Sequence, residues 1–82
     1  MQERPVRVLL VEGEPGYARL LRGMLQGGDY QFEITHVERL RAALDHLAAG
    51  DSDVVLLNLA LPDARGPEVL RRVRAVAPDV PV

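Results

Sequence analysis

The stretch that decides the fold is DVVLLNLALPD, residues 53–63. The four consecutive apolar residues of Val54–Leu57 suit a strand that is buried on both faces, as the strands of parallel sheets are. Asn58 follows this predicted strand directly, and Pro62 marks the loop beyond it. The segment therefore predicts a buried strand whose carboxyl end carries a polar amide.

Strands and helices alternate through the rest of the chain. Residues 6–11 form a second apolar run, interrupted only by Arg7, and residues 30–37 form a strand with one more polar face. Apolar residues three and four apart predict helices over 17–25, 40–48 and 67–76. The order βαβαβα predicts an α/β fold with parallel strands joined by right-handed crossovers. We expect the apolar residues of each helix, Tyr17 and Met24 included, to lie in the core.

Length and composition set the class of protein. The 82 residues allow one small domain, 1–82, without cysteine and therefore without a disulfide. A hydrophobic fraction of 48% with 27% charged residues is typical of a soluble globular protein. No apolar run is long enough to cross a bilayer. We expect a cytoplasmic protein with no membrane attachment.

Several residues that can carry chemistry are better explained as surface residues. His36 and His46 lack metal-ligand spacing to any second histidine or cysteine, and we expect both at the surface. Arg71, Arg72 and Arg74 form a basic cluster that is too small for a phosphate-backbone interface. With a net charge of only −2, the sequence predicts no direct nucleic-acid partner.

The ends of the first and third strands are the candidate site. Ligands of open α/β sheets bind beyond the carboxyl ends of the strands. The first strand ends at Glu12-Gly13-Glu14, and the third ends at Asn58. If these strands are neighbours, two glutamates and an amide share one site. Glu14 also has a simpler role, because an acidic residue at the start of a helix stabilises the helix dipole.

The two motifs resemble a known family. VLLVEGEP, residues 8–15, and DVVLLNLALPD, residues 53–63, are similar to the first and third strands of bacterial response-regulator receiver domains of two-component signalling. The resemblance covers nearly the whole chain. It implies a flavodoxin-like receiver half with a three-stranded parallel sheet in the order 2-1-3. It also implies that Asn58 stands where the family carries its phosphorylated aspartate.

The departures from the family concern its chemistry. The resemblance implies a Mg²⁺ site at Glu12, Gly13, Asn58 and the carbonyl of Ala60, and only Glu12 keeps a negative charge. Mg²⁺ needs carboxylates in octahedral geometry, so we expect no cofactor, or at most weak Mg²⁺ binding. An acyl phosphate needs a carboxylate nucleophile, which an amide is not. The family's phosphate-binding hydroxyl and lysine belong to later strands, and this sequence contains no lysine. The sequence also offers no nucleophile–base pair and no dense metal cluster, so we expect no enzymatic activity.

These observations predict a truncated, degenerate receiver, or pseudo-receiver, that acts through protein–protein contact without phosphorylation. The third strand would then be an edge, and Val54, Val55, Leu56 and Leu57 would pair with a partner or with a second copy in a dimer. The alternative is a fragment or a mutated form of a conventional phosphoacceptor response regulator. Whether Asn58 is natural or engineered stays open at this point.

Overall fold

The computed structural model describes residues 4–82, so the first three residues of the predicted domain lie outside the described part. Its elements are β1 (Val6–Val11), α1 (Pro15–Gln26), β2 (Phe32–Val37), α2 (Leu40–Ala48), β3 (Val54–Leu57), β4 (Ala60–Leu61), β5 (Ala64–Arg65) and α3 (Pro67–Val76). The predicted α/β order is confirmed. The short hairpin β4–β5 is not predicted from the sequence, which indicates only a loop at Pro62.

The three long strands form one parallel sheet in the order β2-β1-β3, as predicted. In β1, Leu9 lies opposite Thr35 of β2 and Val55 of β3. Val11 and Leu57 are also opposite each other, so β1 and β3 end at the same level. This register brings the residues that follow the two strands side by side.

The main core lies on one face of the sheet, beneath α2 and α3. Leu9, Val11 and Val55 project from the strands into this layer and have no exposed surface. The helices, the hairpin and the residue after α3 contribute aliphatic residues that are also buried: Leu40, Ala43, Leu47, Leu61, Val69, Val73 and Ala77. Helical and strand periodicity place these residues where the sequence predicts, because each element has a single apolar face.

The opposite face of the sheet is covered only in part by α1. Ala18 is buried, but Tyr17, Leu20 and Met24 are 51%, 58% and 68% exposed, so the prediction that these three residues lie in the core is wrong. The physical reason is that α1 packs toward the β2 side of the sheet. In the described residues, the part of its apolar stripe that faces β3 has no helix or strand to cover it.

Candidate functional site

Backbone hydrogen bonds fix the ends of β1 and β3, where the site lies. The N–H of Asn58 donates to the carbonyl of Val11 at 3.0 Å, which extends the pairing of β3 with β1. The N–H of Glu12 donates to the carbonyl of Val37 at 3.0 Å, on the β2 side. The backbone at both positions is therefore held by the sheet.

The Asn58 amide and the Glu12 carboxylate bind each other directly. Asn58 Nδ2 donates to Glu12 Oε1 at 2.9 Å and to Oε2 at 3.1 Å. Because a carboxylate only accepts hydrogen bonds, this contact orients the amide with its nitrogen toward Glu12. Asn58 Oδ1 faces the other way and accepts from the N–H of Ala60 at 2.8 Å. The predicted meeting of Glu12 and Asn58 therefore occurs.

Glu12 is a buried carboxylate whose hydrogen-bonding donors are all neutral. Its exposed fraction is 4%, and besides the Asn58 amide its Oε2 accepts from the N–H of Glu14 at 3.1 Å. The ion pairs found among residues 4–82 lie elsewhere, at Asp51, Asp53 and Glu68. Burial of a charge is costly without compensating hydrogen bonds, and here the amide and the backbone supply them.

Glu14 has the simpler of its two predicted roles. It is the N-cap of α1, and its Oε1 accepts from the N–H of Gly16 at 2.9 Å. Its side chain is exposed and takes no part in the Glu12–Asn58 contact. An N-cap carboxylate satisfies a free N–H of the first helical turn and interacts favourably with the helix dipole.

Gly13 is covered by the loop that follows β3. A Cβ atom at Gly13 would lie 3.0 Å from Cδ of Pro62 and 3.5 Å from the carbonyl oxygen of Glu38. A larger side chain would therefore have to displace the proline ring. The position that the resemblance assigns to a metal-binding carboxylate carries none, and a neighbouring side chain fills the space.

The residues present do not fit the Mg²⁺ ion that the receiver resemblance implies. Both Glu12 oxygens and Asn58 Oδ1 already accept hydrogen bonds, and the Asn58 amide turns its donor, which cannot bind a cation, toward Glu12. Within residues 4–82, no group of three or more histidine, cysteine, aspartate or glutamate side chains could hold a metal ion. Mg²⁺ needs several oxygen ligands in near-ideal geometry, which this contact does not offer.

His36 is a member of the site that the sequence analysis missed. It lies on β2, is half-buried, and its Nε2 is 2.7 Å from the carbonyl oxygen of Glu12. Since the carbonyl can only accept, Nε2 carries the proton in this contact. The expectation of a surface histidine was wrong for this residue, and His46 is also half-buried. The β1–β2 register, which the sequence alone does not fix, puts His36 near Glu12.

Asp63 is the second missed residue. It lies in the turn of the β4–β5 hairpin, and its carboxylate accepts from the N–H of Leu40 at 2.8 Å and of Arg41 at 3.0 Å. Desolvation alone would raise the pKa of Asp63, but the N–H donors of Arg41 and Leu40 outweigh it and lower the pKa. Arg39, the N-cap residue of α2, makes no side-chain capping bond. The hairpin thus caps α2 and links the loop after Asn58 to that helix.

An apolar groove begins beside Asn58 and runs along β3. Its volume is about 660 Å³, and its lining includes Leu10, Tyr17, Leu21, Leu56, Leu59, Arg74 and Val82. Of the predicted edge residues, Val55 is buried, Val54 and Leu57 are half-buried, and Leu56 is 37% exposed. The N–H of Val55 donates to the carbonyl of Pro81 at 2.9 Å, so the edge is already occupied at one point.

Comparison with known proteins gives one consistent result. The family model for the response regulator receiver domain matches residues 8–82. The chain is 38% identical over 71 residues to the transcriptional regulatory protein TrcR of Mycobacterium tuberculosis, a match over 85% of this chain and 26% of that protein. It is 33% identical over 78 residues to the response regulator MprA of Mycolicibacterium vanbaalenii, a match over 95% of this chain and 33% of MprA. The chain thus spans between a quarter and a third of these two relatives. No helix among the described residues is long and apolar enough to span a membrane.

Proposed function

Because the chain belongs to the response regulator receiver domains of two-component signalling, we propose that it is a receiver-like module that signals by protein contact and without phosphorylation. Asn58 takes the position of the phosphoacceptor, and Glu12, Gly13 and Glu14 are the remains of the acidic pocket. The proposal includes signalling in place of catalysis, a single receiver-like unit over residues 1–82, and a cytoplasmic location.

One observation carries the proposal. Asn58 Nδ2 donates to both oxygens of Glu12, at 2.9 and 3.1 Å, and Asn58 Oδ1 accepts from the N–H of Ala60. A phosphoryl group can be accepted only by a nucleophile, and the carboxamide lacks the ionised oxygen that forms an acyl phosphate. The carboxylate of Glu12, which contacts this amide, is buried and accepts three hydrogen bonds. Phosphoryl transfer also depends on charge neutralisation by a metal ion, and this site does not fit one.

Acetyl phosphate labelling tests the absence of phosphorylation. The chain is incubated with acetyl phosphate and Mg²⁺, and its intact mass is measured beside that of a conventional receiver treated in the same way. We expect the conventional receiver to gain the mass of a phosphoryl group and this chain to gain none. If this chain gains a phosphoryl group that base removes, as it removes an acyl phosphate, the proposal is overturned.

The contact surface in the proposal is the edge of β3 with its adjoining groove. Leu56 is 37% exposed on β3, and Tyr17 is 51% exposed on the facing side of α1. Exposed apolar surface beside an edge strand favours pairing with another polypeptide. We propose a protein partner, or a second copy of the chain, at Val54–Leu57, and no direct nucleic-acid contact.

Sedimentation velocity at micromolar concentrations tests the self-association. We expect the native chain to form dimers and L56E to sediment as a monomer, because a buried glutamate at the interface is costly. The matched control is V76E, because Val76 is 41% exposed but does not line the groove. A folded native chain that stays monomeric throughout this range would contradict self-association. In that case the proposed partner at the edge of β3 would be a different protein and not a second copy of this chain.

The alternative proposal places the chain in the same family but explains Asn58 differently. The chain would then be a piece or a mutated form of a conventional phosphoacceptor regulator, and the match to only 26–33% of its relatives' length is the observation that favours it. The parent gene distinguishes the two proposals. An aspartate codon at position 58 supports the alternative, and an asparagine codon supports the degenerate receiver.

A further inference from the structure

The candidate site disagrees with the metal chemistry of its family in a specific way. The carboxylate of Glu12 is buried, and a buried carboxylate must be balanced by a cation or by hydrogen-bond donors. Here the Asn58 amide donates to both of its oxygens, and the N–H of Glu14 supplies the third bond. The side chain that departs from the family is thus the one that balances the charge of Glu12.

We propose that Asn58 is a positioning residue that takes over the structural role of a divalent cation, so that the ends of β1 and β3 are held together without metal. This inference rests on the proposed function and deepens it. The amide of Asn58 ties Glu12 of β1 to the residue after β3, and its carbonyl oxygen fixes Ala60, the first residue of the β4–β5 hairpin. We call these contacts, Glu12–Asn58–Ala60, the amide lock.

The amide lock extends from the strand ends to the helices. Ala60 pairs with Arg65 in the hairpin, whose turn residue Asp63 caps α2. Leu61 of the same hairpin is buried in the core with Val69 of α3. A change at Asn58 therefore reaches α2 through the hairpin turn and α3 through the packing of Leu61.

The neighbourhood of Gly13 supports the same inference. A metal-binding carboxylate at this position would have its Cβ 3.0 Å from the ring of Pro62. Such a contact is tighter than nine in ten real Cβ contacts, so the ring would have to move by a few tenths of an ångström. Pro62, in the loop after β3, thus packs against Gly13, and the amide lock holds that loop in place.

Replacing the amide by a carboxylate tests the amide lock. In N58D, two carboxylates face each other at the distance now spanned by a hydrogen bond, and like charges this close repel strongly unless a cation lies between them. We expect N58D in EDTA to melt about 5–10 °C below the native chain, on the scale for a small domain. We expect millimolar Mg²⁺ to recover at least half of this loss in N58D and to leave the native Tm unchanged.

A reciprocal exchange separates the amide lock from a merely structural effect. The double variant E12Q/N58D has the same charge as the native chain and the same pair of groups in exchanged positions. The new amide can donate to the new carboxylate while its oxygen accepts from the N–H of Glu14, and the new carboxylate still accepts from Ala60. We expect E12Q/N58D to regain most of the Tm that N58D loses, and to do so equally in EDTA and in Mg²⁺.

The matched control is N58A, which removes the amide without adding charge. We expect its Tm to fall and to be insensitive to Mg²⁺. A native Tm that rises with Mg²⁺, an N58D variant as stable as the native chain in EDTA, or an exchange that recovers nothing would each overturn the inference. If N58D is unfolded in EDTA, a Mn²⁺ titration followed by circular dichroism gives a second readout, because only the variant with two facing carboxylates should fold when metal is added.

The outcomes also separate this inference from the proposed function. A native chain that takes no phosphate from acetyl phosphate but is stabilised by Mg²⁺ refutes the amide lock alone. A native chain that takes up phosphate refutes the proposed function, whatever its response to Mg²⁺.

Discussion

Removing the Asp63 carboxylate should show how strongly the hairpin supports α2. In D63A, the N–H groups of Leu40 and Arg41 lose acceptors that now lie at 2.8 and 3.0 Å. Loss of a helix cap costs about 0.5–2 kcal/mol, and α2 has no side-chain cap of its own. We take about 1 kcal/mol as the expected loss, because the carboxylate is exposed and water replaces part of the interaction. For a domain of this size, that lowers Tm by about 4–8 °C.

A local cap should restore this loss. Arg39 is the N-cap residue of α2 and has extended backbone angles, φ −133° and ψ 151°, as capping residues do. We therefore expect R39D to recover most of the stability in a D63A background and to add little to the native chain, where the same N–H groups are already bonded. Urea unfolding followed by circular dichroism gives the four free energies of this double-mutant cycle.

The pH dependence of D63A gives an independent check. Because the pKa of Asp63 is lowered in the folded chain, its contribution is present above the ordinary unfolded pKa of about 3.9 and is lost as the pH falls through the folded value. The difference between native and D63A should therefore be constant near neutral pH and shrink below about pH 4. A D63A variant within about 0.3 kcal/mol of the native chain, or a difference independent of pH, would refute the capping role.

Three other predictions concern separate parts of the fold. Hydrogen bonds from the Arg7 guanidinium and from the Arg7 N–H lower the pKa of Asp53 to about 2. The stability that the ionised Asp53 contributes is therefore lost as the pH falls from about 4 toward 2. The urea midpoint of D53N should fall less than that of the native chain over the same pH range. L9A removes a core side chain with no exposed surface and should cost about 2–5 kcal/mol, measurable as a lower urea midpoint or as an unfolded circular dichroism spectrum. Gly66 has φ 75° and ψ −161°, a region almost restricted to glycine, so G66A should lower the free energy of unfolding in urea by about 1–3 kcal/mol. The control G23A should not lower it, because the Cβ position of Gly23 lies in open space and alanine favours the helix.

The sequence predicts those parts of the structure that depend on local patterns. Apolar periodicity reports which face of an element is buried, so the order of strands and helices could be predicted. The meeting of Glu12 with Asn58 could be predicted too, because parallel strands place their carboxyl ends at one edge of the sheet. The positions of the two residues at strand ends are sufficient for this prediction.

The remaining features depend on contacts between distant segments. Tyr17 and Met24 have the spacing of core residues, but periodicity does not show whether another element covers the stripe. Asp63 caps a helix that begins 23 residues earlier, and no local capping signal marks that pair. His36 reaches the carbonyl of Glu12 only through the strand register. In each case the sequence identifies a side chain and leaves its neighbour undetermined.

The hydrogen bond from Val55 to Pro81 makes access to the edge of β3 a local opening equilibrium. This bond and the packing of Ala77 and Val80 hold the segment after α3 beside the strand. Segments held by so few contacts open far more often than the core does. A partner that pairs with β3 at this point binds only the open form, so its apparent affinity is reduced by the open fraction. Amide exchange at Val55 therefore measures how often the edge is available for binding.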